Sequence, residues 1–370
     1  MLYRYETKHD SGPVLAARIY TGSEHPVDRK SIDRDALNIV RRLTDQGFQA
    51  YVVGGAVRDL ILGRTPKDFD VATDARPRQV RRLFRRSRVI GRRFRLVHVY
   101  FGQSKIIEVS TFRSSSDDTN TYGTLGEDAF RRDFSFNALF YCPIKNQIID
   151  YVDGVADIRR RRVRVLGNTV QSFREDPVRI IRAVKYGASL NLSISLPMRM
   201  RIRKLRFGLR TCSPDRLTEE VFKILESGDS APIVTAAYRL GVLEILAPAV
   251  HEALSAYRLK VSSSPLMRRL AVLDGCIRRN GSKPARREIL SVLLIDLVRE
   301  NPQWYEEKLA LIDEELKETI KPLVSSGRDI HYVSRAIKHT LKTGVFEPSF
   351  LGVSGGLPYA GAENQPSRRT

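Results

Sequence analysis

The segment from residue 54 to residue 71 limits the possible folds and functions of this chain more than any other. It begins with GGAVRD at 54–59 and continues, after a short spacer, with KDFDV at 67–71. Asp68 and Asp70 are two residues apart on a segment expected to be extended, so their carboxylates point to the same face and the neighbouring apolar side chains to the other. Two hard oxygen ligands on one face suit Mg²⁺, which keeps some waters and borrows further ligands from a substrate phosphate.

The glycines and the arginine of the same segment suit phosphate binding. Gly54 and Gly55 allow the backbone to approach a phosphate closely, with N–H groups free to donate. Arg58 carries a planar guanidinium that matches phosphate oxygens. An Asp-x-Asp pair alone is most often a solvated turn, but its short distance from a Gly-Gly-x-x-Arg motif indicates phosphoryl-transfer chemistry.

The charge of the chain indicates a polyanionic partner. The 370 residues are enough for two or three domains and carry a formal net charge of +21. No apolar run of about 18 residues spans a bilayer, and the N-terminal residues lack the apolar core of a signal peptide. The three cysteines are far apart, so we expect a soluble protein of the reducing cytoplasm with no disulfide or zinc site.

A pair of predicted strands contains a third acid. Residues 96–101 and 106–111 are expected to pair through a short turn, and Glu108 lies between two apolar residues of the second strand. An acid in so apolar a strand is costly unless it is paired or bound to a metal. Glu108 is therefore either a residue at the rim or edge of the sheet or a third acid beside Asp68 and Asp70, and we favour the third acid.

Taken together, these motifs resemble those of the class II nucleotidyltransferases, which comprise the bacterial poly(A) polymerases and the eubacterial-type CCA-adding enzymes. The resemblance rests on residues 52–71, on EVSTFR at 108–113, on RRDFSFNA at 131–138 and on EDPVR at 175–179. It implies an α+β fold with a polymerase-β-like nucleotidyltransferase palm, a small mixed sheet with flanking helices, followed by all-α neck and body domains.

The resemblance also implies a role for each site residue. Asp68 and Asp70 would bind two Mg²⁺ ions, and Glu108 would support the nucleophile side or orient the metal ligands. The residues expected to hold the phosphates and the ribose of ATP, the substrate, are Gly54, Gly55, Arg58, Arg113, Arg132, Asp133 and Asn137. Asp176 and Arg179 would read the Watson–Crick edge of adenine, and Arg182 belongs to the same nucleotide-binding set.

The Asp176–Arg179 pair has an alternative interpretation. Asp176 before Pro177 is a good helix N-cap, and Arg179 lies one turn further on the same face. A cap with a surface ion pair would explain both residues, whereas the family pattern favours base recognition.

The composition predicts the division of the chain. A shift towards helix-forming residues follows residue 150, and the last residues are rich in Gly, Pro and Ser. We predict a flexible N-terminal arm, a catalytic head, a helical neck, a helical body and a disordered tail, at residues 1–28, 29–150, 151–228, 229–345 and 346–370.

Two basic runs suggest where RNA would lie. The chain carries ten arginines and no acid between residues 76 and 95, and a second run covers 159–162 and 164. Each run alone could be a solvated face, but two runs flanking a phosphoryl-transfer site favour an RNA path.

The overall sequence-based prediction is an ATP-using enzyme that extends RNA 3′ ends without a template. The segment GRRFRLVHV at 91–99, with LGRTPKDFD at 62–70, is similar to bacterial poly(A) polymerases. The alternatives are a CCA-adding enzyme acting on tRNA and, from another class, an inactive RNA-binding module on the same fold. The three acids disfavour the binding module. The sequence leaves the oligomeric state open.

Overall fold

A computed structural model describes residues 2–8, 12–91, 96–102, 105–114, 121–281, 283–295, 312–343 and 346. The chain divides into two compact units, Met1–Ser172 and Phe173–Thr370. Each unit is described by itself.

The first unit is built on one mixed sheet. Its strands are β1 (Leu2–Lys8), β2 (Gly12–Tyr20), β3 (Ala50–Val53), β4 (Asp70–Thr73), β5 (Ser87–Ile90), β6 (Leu96–Phe101), β7 (Lys105–Thr111), β8 (Leu139–Cys142) and β9 (Gln147–Asp150). The strand order is β1-β2-β9-β8-β3-β4-β7-β6-β5. Within the described residues β4 and β7 form the one parallel pair, and the other neighbours are antiparallel.

Short helices cover the sheet. They are α1 (Arg34–Asp45), α2 (Gly55–Ile61), α3 (Pro77–Leu83), α4 (Leu125–Phe130) and α5 (Gly154–Arg159). On strands β4, β6 and β7, residues such as Val71, Val97 and Val109 are fully buried. Helices α1 and α3 contact these strands, so this face forms the core. The opposite face of the same strands carries Asp70 and Glu108, because successive side chains alternate.

The predicted pairing of residues 96–101 with 106–111 is confirmed. Strands β6 and β7 are antiparallel, with Tyr100 opposite Ile106. Gly102, at the start of the turn, has a φ of +57°, a conformation that favours glycine. Strand β7 begins at Lys105, one residue earlier than predicted.

The prediction of a flexible N-terminal arm at residues 1–28 is wrong. Strands β1 and β2 form a hairpin, and β2 continues the sheet by pairing with β9. Ala17 and Tyr20 are buried. A hairpin that covers the end of a sheet needs few apolar residues, so its mixed polar sequence resembles a loop.

The first unit also extends beyond the predicted end of the head at residue 150. Helix α5 lies within it, and the buried Asp157 of this helix accepts a hydrogen bond from Ser135 Oγ at 2.6 Å. The compact unit ends at Ser172. The boundary between neck and body stays a prediction, and the predicted tail lies outside the described residues except for Phe346.

From residue 169 onward the described chain is helical. The helices are α6 (Thr169–Glu175), α7 (Val178–Ser189), α8 (Leu196–Leu205), α9 (Pro214–Leu225), α10 (Ser230–Arg239), α11 (Leu243–Leu246), α12 (Pro248–Ser255), α13 (Pro265–Asn280), α14 (Arg286–Leu294), α15 (Ile312–Thr319) and α16 (Gly327–Thr343). Contacts of α7 with α9 and α10, and of α14 with α16, bury the apolar face of each helix. None of the helices in the described ranges is both long and apolar enough to cross a membrane.

Candidate active site

Three carboxylates lie together on the exposed face of the sheet. Asp70 is the first residue of β4, and Glu108 is its register partner on the parallel strand β7. Asp68 lies two residues before Asp70 and is exposed, whereas Asp70 is partly buried. The structure thus brings together the two acids of the Asp-x-Asp motif and the third acid on the neighbouring strand.

Their electrostatics are those of an uncompensated cluster. The pKa of Asp70 is raised to about 6, first by burial and then by the charges of Glu108 and Asp68, against an opposing effect of Arg132. In the described part of the chain, neither Asp68 nor Asp70 has a hydrogen-bond or ion-pair partner. Crowded acids without a cation are costly, and a bound divalent ion would relieve that cost.

The donor set fits a magnesium ion that is completed by a substrate. Among the described residues, no group of three or more His, Cys, Asp or Glu side chains is arranged to hold a metal ion by itself. Asp68 and Asp70 would supply only part of the coordination shell of such an ion. Mg²⁺ commonly takes one or two carboxylates and completes its shell with water and substrate phosphate oxygens.

The Gly-Gly turn precedes this cluster and starts a helix. Gly54 has a φ of +69°, and a Cβ there would lie 3.3 Å from Nη1 of Arg132, so a side chain would strain both the backbone and the contact. Helix α2 begins at Gly55. The N–H of Gly54 donates to the carbonyl of Leu139 at 3.2 Å. The expectation that both glycine N–H groups are free is thus wrong for Gly54.

A series of buried hydrogen bonds connects Arg58 with the RRDFSFNA segment at residues 131–138. Arg58 Nη1 donates to Asn137 Oδ1 at 2.7 Å, and its Nε donates to Asp59 at 2.9 Å. Asn137 in turn donates to Asp133 Oδ1 at 3.2 Å. Arg58, Asn137 and Asp133 are each at most 9% exposed. These contacts hold Arg58, Asn137 and Asp133 in fixed positions.

A second group of arginines gathers around Asp128. Arg132 donates to Asp128 Oδ2 through Nη2 at 2.9 Å and packs its guanidinium 5.0 Å from the ring centre of Phe140. The backbone N–H of Arg113 donates to Asp128 Oδ1. Burial lowers the pKa of Arg113, and the nearby charge of Arg132 lowers it further, against the opposing effect of Asp128. Asp128 was missed in the sequence, although its spacing of four residues from Arg132 was a usable signal.

The predicted base-reading residues lie at the start of α7 in the second unit. Asp176 accepts from the N–H of Val178 at 3.3 Å, but the N-cap of α7 is Pro177, so the prediction of Asp176 as the N-cap is wrong by one residue. Arg179 Nε lies 3.9 Å from Asp176, a marginal ion pair. Arg216 of α9, which sequence reasoning did not single out, lies closer, with its Nη2 2.9 Å from Asp176.

Arg182 follows Arg179 by one turn of α7. Its charge acts on Glu220 of α9, where it adds to a larger effect of Lys185 and Lys223 that lowers the pKa of Glu220 against burial. Residues 176, 179 and 182 are spaced by three, so they form a continuous polar strip on one side of the helix start.

The two basic runs differ in structure. In the first run, every described arginine is exposed: Arg76, Arg78, Arg81, Arg82, Arg85, Arg86 and Arg88. In the second run, Arg162 and Arg164 both form ion pairs with the buried Asp157, and Arg159 donates to the carbonyl of Glu24. Part of the second run therefore stabilises the first unit, whereas Arg160 and Arg161 are exposed like the arginines of the first run.

Two family models match the chain over these regions. Residues 50–164 match the "Poly A polymerase head domain", and residues 191–254 match the "Probable RNA and SrmB- binding site of polymerase A". The motifs and these two matches support the class II nucleotidyltransferases, which comprise the bacterial poly(A) polymerases and the CCA-adding enzymes, as the class that this chain resembles.

Similar curated proteins carry both family names. The chain is 40% identical over 257 residues to poly(A) polymerase I of Haemophilus influenzae, which covers 65% of this chain and 56% of that relative. It is 46% identical to poly(A) polymerase I of Salmonella typhi over 56% of this chain and 48% of the relative. A CCA-adding enzyme of Lactococcus lactis is 33% identical over 56% of this chain and 54% of the relative. The chain spans about half the length of these relatives.

Solved structures confirm the predicted fold. The CCA-adding enzyme of Bacillus stearothermophilus in complex with CTP has a TM-score of 0.52 and 26% identity, over 85% of this chain and 79% of that one. The CCA-adding enzyme of Thermotoga maritima with tRNA has a TM-score of 0.57 over 91% of this chain and 90% of that one. At 20% identity, the Thermotoga protein is evidence for the fold alone.

Proposed function

We propose that this chain is a template-independent RNA nucleotidyltransferase that adds AMP from ATP to RNA 3′ ends. The observation that carries the proposal is the cluster of Asp68, Asp70 and Glu108, which has crowded negative charge beside an arginine-rich site. Relatives named poly(A) polymerase I, at 40% and 46% identity, support adenylyl transfer as the activity.

In the proposed reaction, the RNA 3′-hydroxyl attacks the α-phosphorus of ATP. The bond to the oxygen that bridges the α- and β-phosphates breaks, and pyrophosphate leaves. Mg²⁺ held by Asp68 and Asp70 would supply the positive charge that stabilises the transition state and acidifies the hydroxyl. Glu108 lies on the neighbouring strand, where its carboxylate can accept a hydrogen bond from the attacking hydroxyl.

We assign the triphosphate to the arginines behind the Gly-Gly turn. Arg58 and Arg132 are held by Asn137 and Asp128, so their guanidinium groups lose little side-chain entropy when a phosphate binds. Arg113 adds a third positive charge next to Arg132. Direct contacts of Asp133 and Asn137 with the ribose belong to the proposal as well, since their protein partners fix their orientation.

Base selection is assigned to Asp176 and Arg179, with Arg182 on the same strip. An acid and an arginine fixed on one side of a helix present an acceptor and a donor to one planar edge. Adenine and cytosine match this order, whereas guanine and uracil reverse it, so each mismatch leaves buried polar groups unpaired. Arg216 holds Asp176 from the other helix and would keep its carboxylate in place.

CCA addition to tRNA is the second candidate, supported by the Lactococcus lactis relative and the fold of the Bacillus stearothermophilus enzyme. The two activities share their chemistry and differ in the choice of nucleotide and RNA.

We also assign the protein to the cytoplasm, because its three cysteines are free.

Incorporation of labelled ATP or CTP into a generic RNA and into tRNA lacking its 3′ end tests the proposal. Long A-tails on generic RNA are the expected result, whereas CTP followed by ATP on tRNA alone would identify CCA addition. Absence of incorporation by the folded protein with Mg²⁺ would contradict both. The variant Asp70→Asn serves as the blank, because it keeps side-chain volume and removes the charge.

A further inference from the structure

A row of polar side chains crosses three neighbouring strands of the first unit. Asp70 on β4 pairs in register with Glu108 on β7, and Glu108 pairs in register with His98 on β6. Register partners point to the same face of a sheet, so the three side chains form a line across the exposed face. His98 continues the acid cluster by one strand and has no part in the function proposed so far.

His98 holds one oxygen of Glu108. Its Nε2 lies 3.3 Å from Oε1 of Glu108, and no other described residue forms a hydrogen bond or ion pair with this carboxylate. An ionised carboxylate has no proton to give, so the imidazole is the donor. The ring of Tyr100, two residues along the same strand, packs edge-on against His98 at 6.3 Å between ring centres.

Glu108 needs such a partner more than its neighbours do. Its side chain is 51% exposed and has three rotatable bonds, whereas His98 is 22% exposed and packed against Tyr100. A hydrogen bond to Oε1 restricts the Glu108 side chain to orientations in the row between His98 and Asp70. The second carboxylate oxygen can then accept a hydrogen bond from a substrate. A catalytic group held in one geometry reacts faster than one that samples many.

We propose that His98 is a positioning residue, which orients the Glu108 carboxylate beside Asp70 for the attacking 3′-hydroxyl. This inference rests on the proposed nucleotidyl transfer. The competing interpretation is an ordinary cross-strand pair, which contributes to stability and leaves kcat unchanged.

Two substitutions distinguish the effect of the His98 hydrogen bond from the effect of its aromatic ring. His98→Gln keeps a donor and cannot titrate, and His98→Phe keeps an aromatic ring beside Tyr100 and has no donor. We expect His98→Phe to lower kcat for AMP incorporation about tenfold, with KM for ATP changed less than twofold. His98→Gln should stay within about threefold of the parent.

The matched control is His331→Phe in the helical unit. His331 Nδ1 lies 3.2 Å from Asp313, so this change breaks a histidine–carboxylate pair of nearly the same length that includes no site residue. It should leave kcat unchanged. In a Glu108→Gln background, His98→Phe should cause no further loss, because the carboxylate it orients is gone.

Three results would overturn the inference while the parent remains active: an unchanged kcat in His98→Phe, an equal loss in His98→Gln, or an undiminished loss in the Glu108→Gln background. Absence of AMP incorporation by the parent protein would instead contradict the proposed function. Circular dichroism and the melting temperature of each variant establish that it is folded before kcat is compared.

Discussion

The first unit contains two sets of acids that differ in their hydrogen-bond and ion-pair partners. Asp157 is fully buried and accepts hydrogen bonds from Ser135, Arg162 and Arg164. Asp150 is 1% exposed, and although burial raises its pKa, three backbone N–H groups donate to it, each at 3.0 Å. Asp70 lies on the same sheet with two other acids nearby and no partner of its own in the described residues.

This difference separates acids that hold the fold together from acids that serve a ligand. A saturated buried carboxylate stabilises the arrangement of its donors, and removing it leaves those donors unpaired. An uncompensated carboxylate destabilises the fold and persists where a bound group supplies the missing charge. The contrast supports a structural role for Asp157 and Asp150 and the proposed functional role for Asp68 and Asp70, and four experiments test it.

The largest effect is expected from the uncompensated acids. Asp68→Ala or Asp70→Ala should lower AMP incorporation by about 10³-fold or more, because the charge that holds the metal ion is lost. The melting temperature should not fall. Gel assays of labelled ATP incorporation measure the loss, and near-normal turnover in a folded double variant would contradict the assignment of these acids to metal binding.

The saturated acid should show the reverse behaviour. Asp157→Asn removes a buried charge from two arginines, and we expect the unfolding free energy of the first unit to fall by about 3 kcal/mol. Denaturant titration measures this change. The exposed Asp45, at the end of α1, provides the control Asp45→Asn, which should change stability by less than about 0.5 kcal/mol. A stable Asp157→Asn variant would remove the distinction between the two sets.

Asp176 tests an intermediate case, since it accepts a backbone hydrogen bond and forms an ion pair with Arg216 but belongs to the proposed base-reading pair. Arg179→Ala should reduce the preference for ATP over GTP or UTP from more than about 10²-fold to a few-fold, with the KM for triphosphate largely retained. Competition between the four labelled nucleotides measures this preference. The exposed Arg174 on α6 gives the control Arg174→Ala. If Arg179→Ala is as selective as the parent, the pair is a cap and a surface ion pair.

The smallest effect is a pH dependence of stability. In the folded protein the pKa of Asp70 is about 6, above its ordinary value of 3.8. A raised pKa means that the ionised acid destabilises the fold; the penalty is complete above pH 6 and absent below pH 3.8. In metal-free buffer, Asp70→Asn should therefore raise the unfolding free energy by on the order of 2 kcal/mol at pH 8 and by almost nothing at pH 4. An equal difference at both pH values would indicate a packing effect.

Much of the candidate site could be predicted because its signals are local. The two-residue period places Asp68 and Asp70 on one face, and the glycines at 54 and 55 mark a turn that starts a helix. The strand pair at 96–111 is also local, since only a short turn separates its halves. By contrast, the hairpin of β1 and β2 was missed, because its mixed polar sequence resembles a loop and because its place in the sheet depends on β9, more than 120 residues further along the chain.

The sequence by itself determined the candidate residues for the chemistry and the face of each strand that they occupy, since alternation and turn preferences depend on neighbouring residues. Only the tertiary structure decided which faces meet. The parallel register of Asp70 with Glu108, the contact of His98 with Glu108, and the pairing of Asp176 with Arg216 all join separate elements. The same packing directs Arg162 and Arg164 to Asp157 and leaves the described arginines of the first basic run exposed. Such registers are fixed by how the apolar faces of distant segments pack, and a single stretch of sequence does not contain that information.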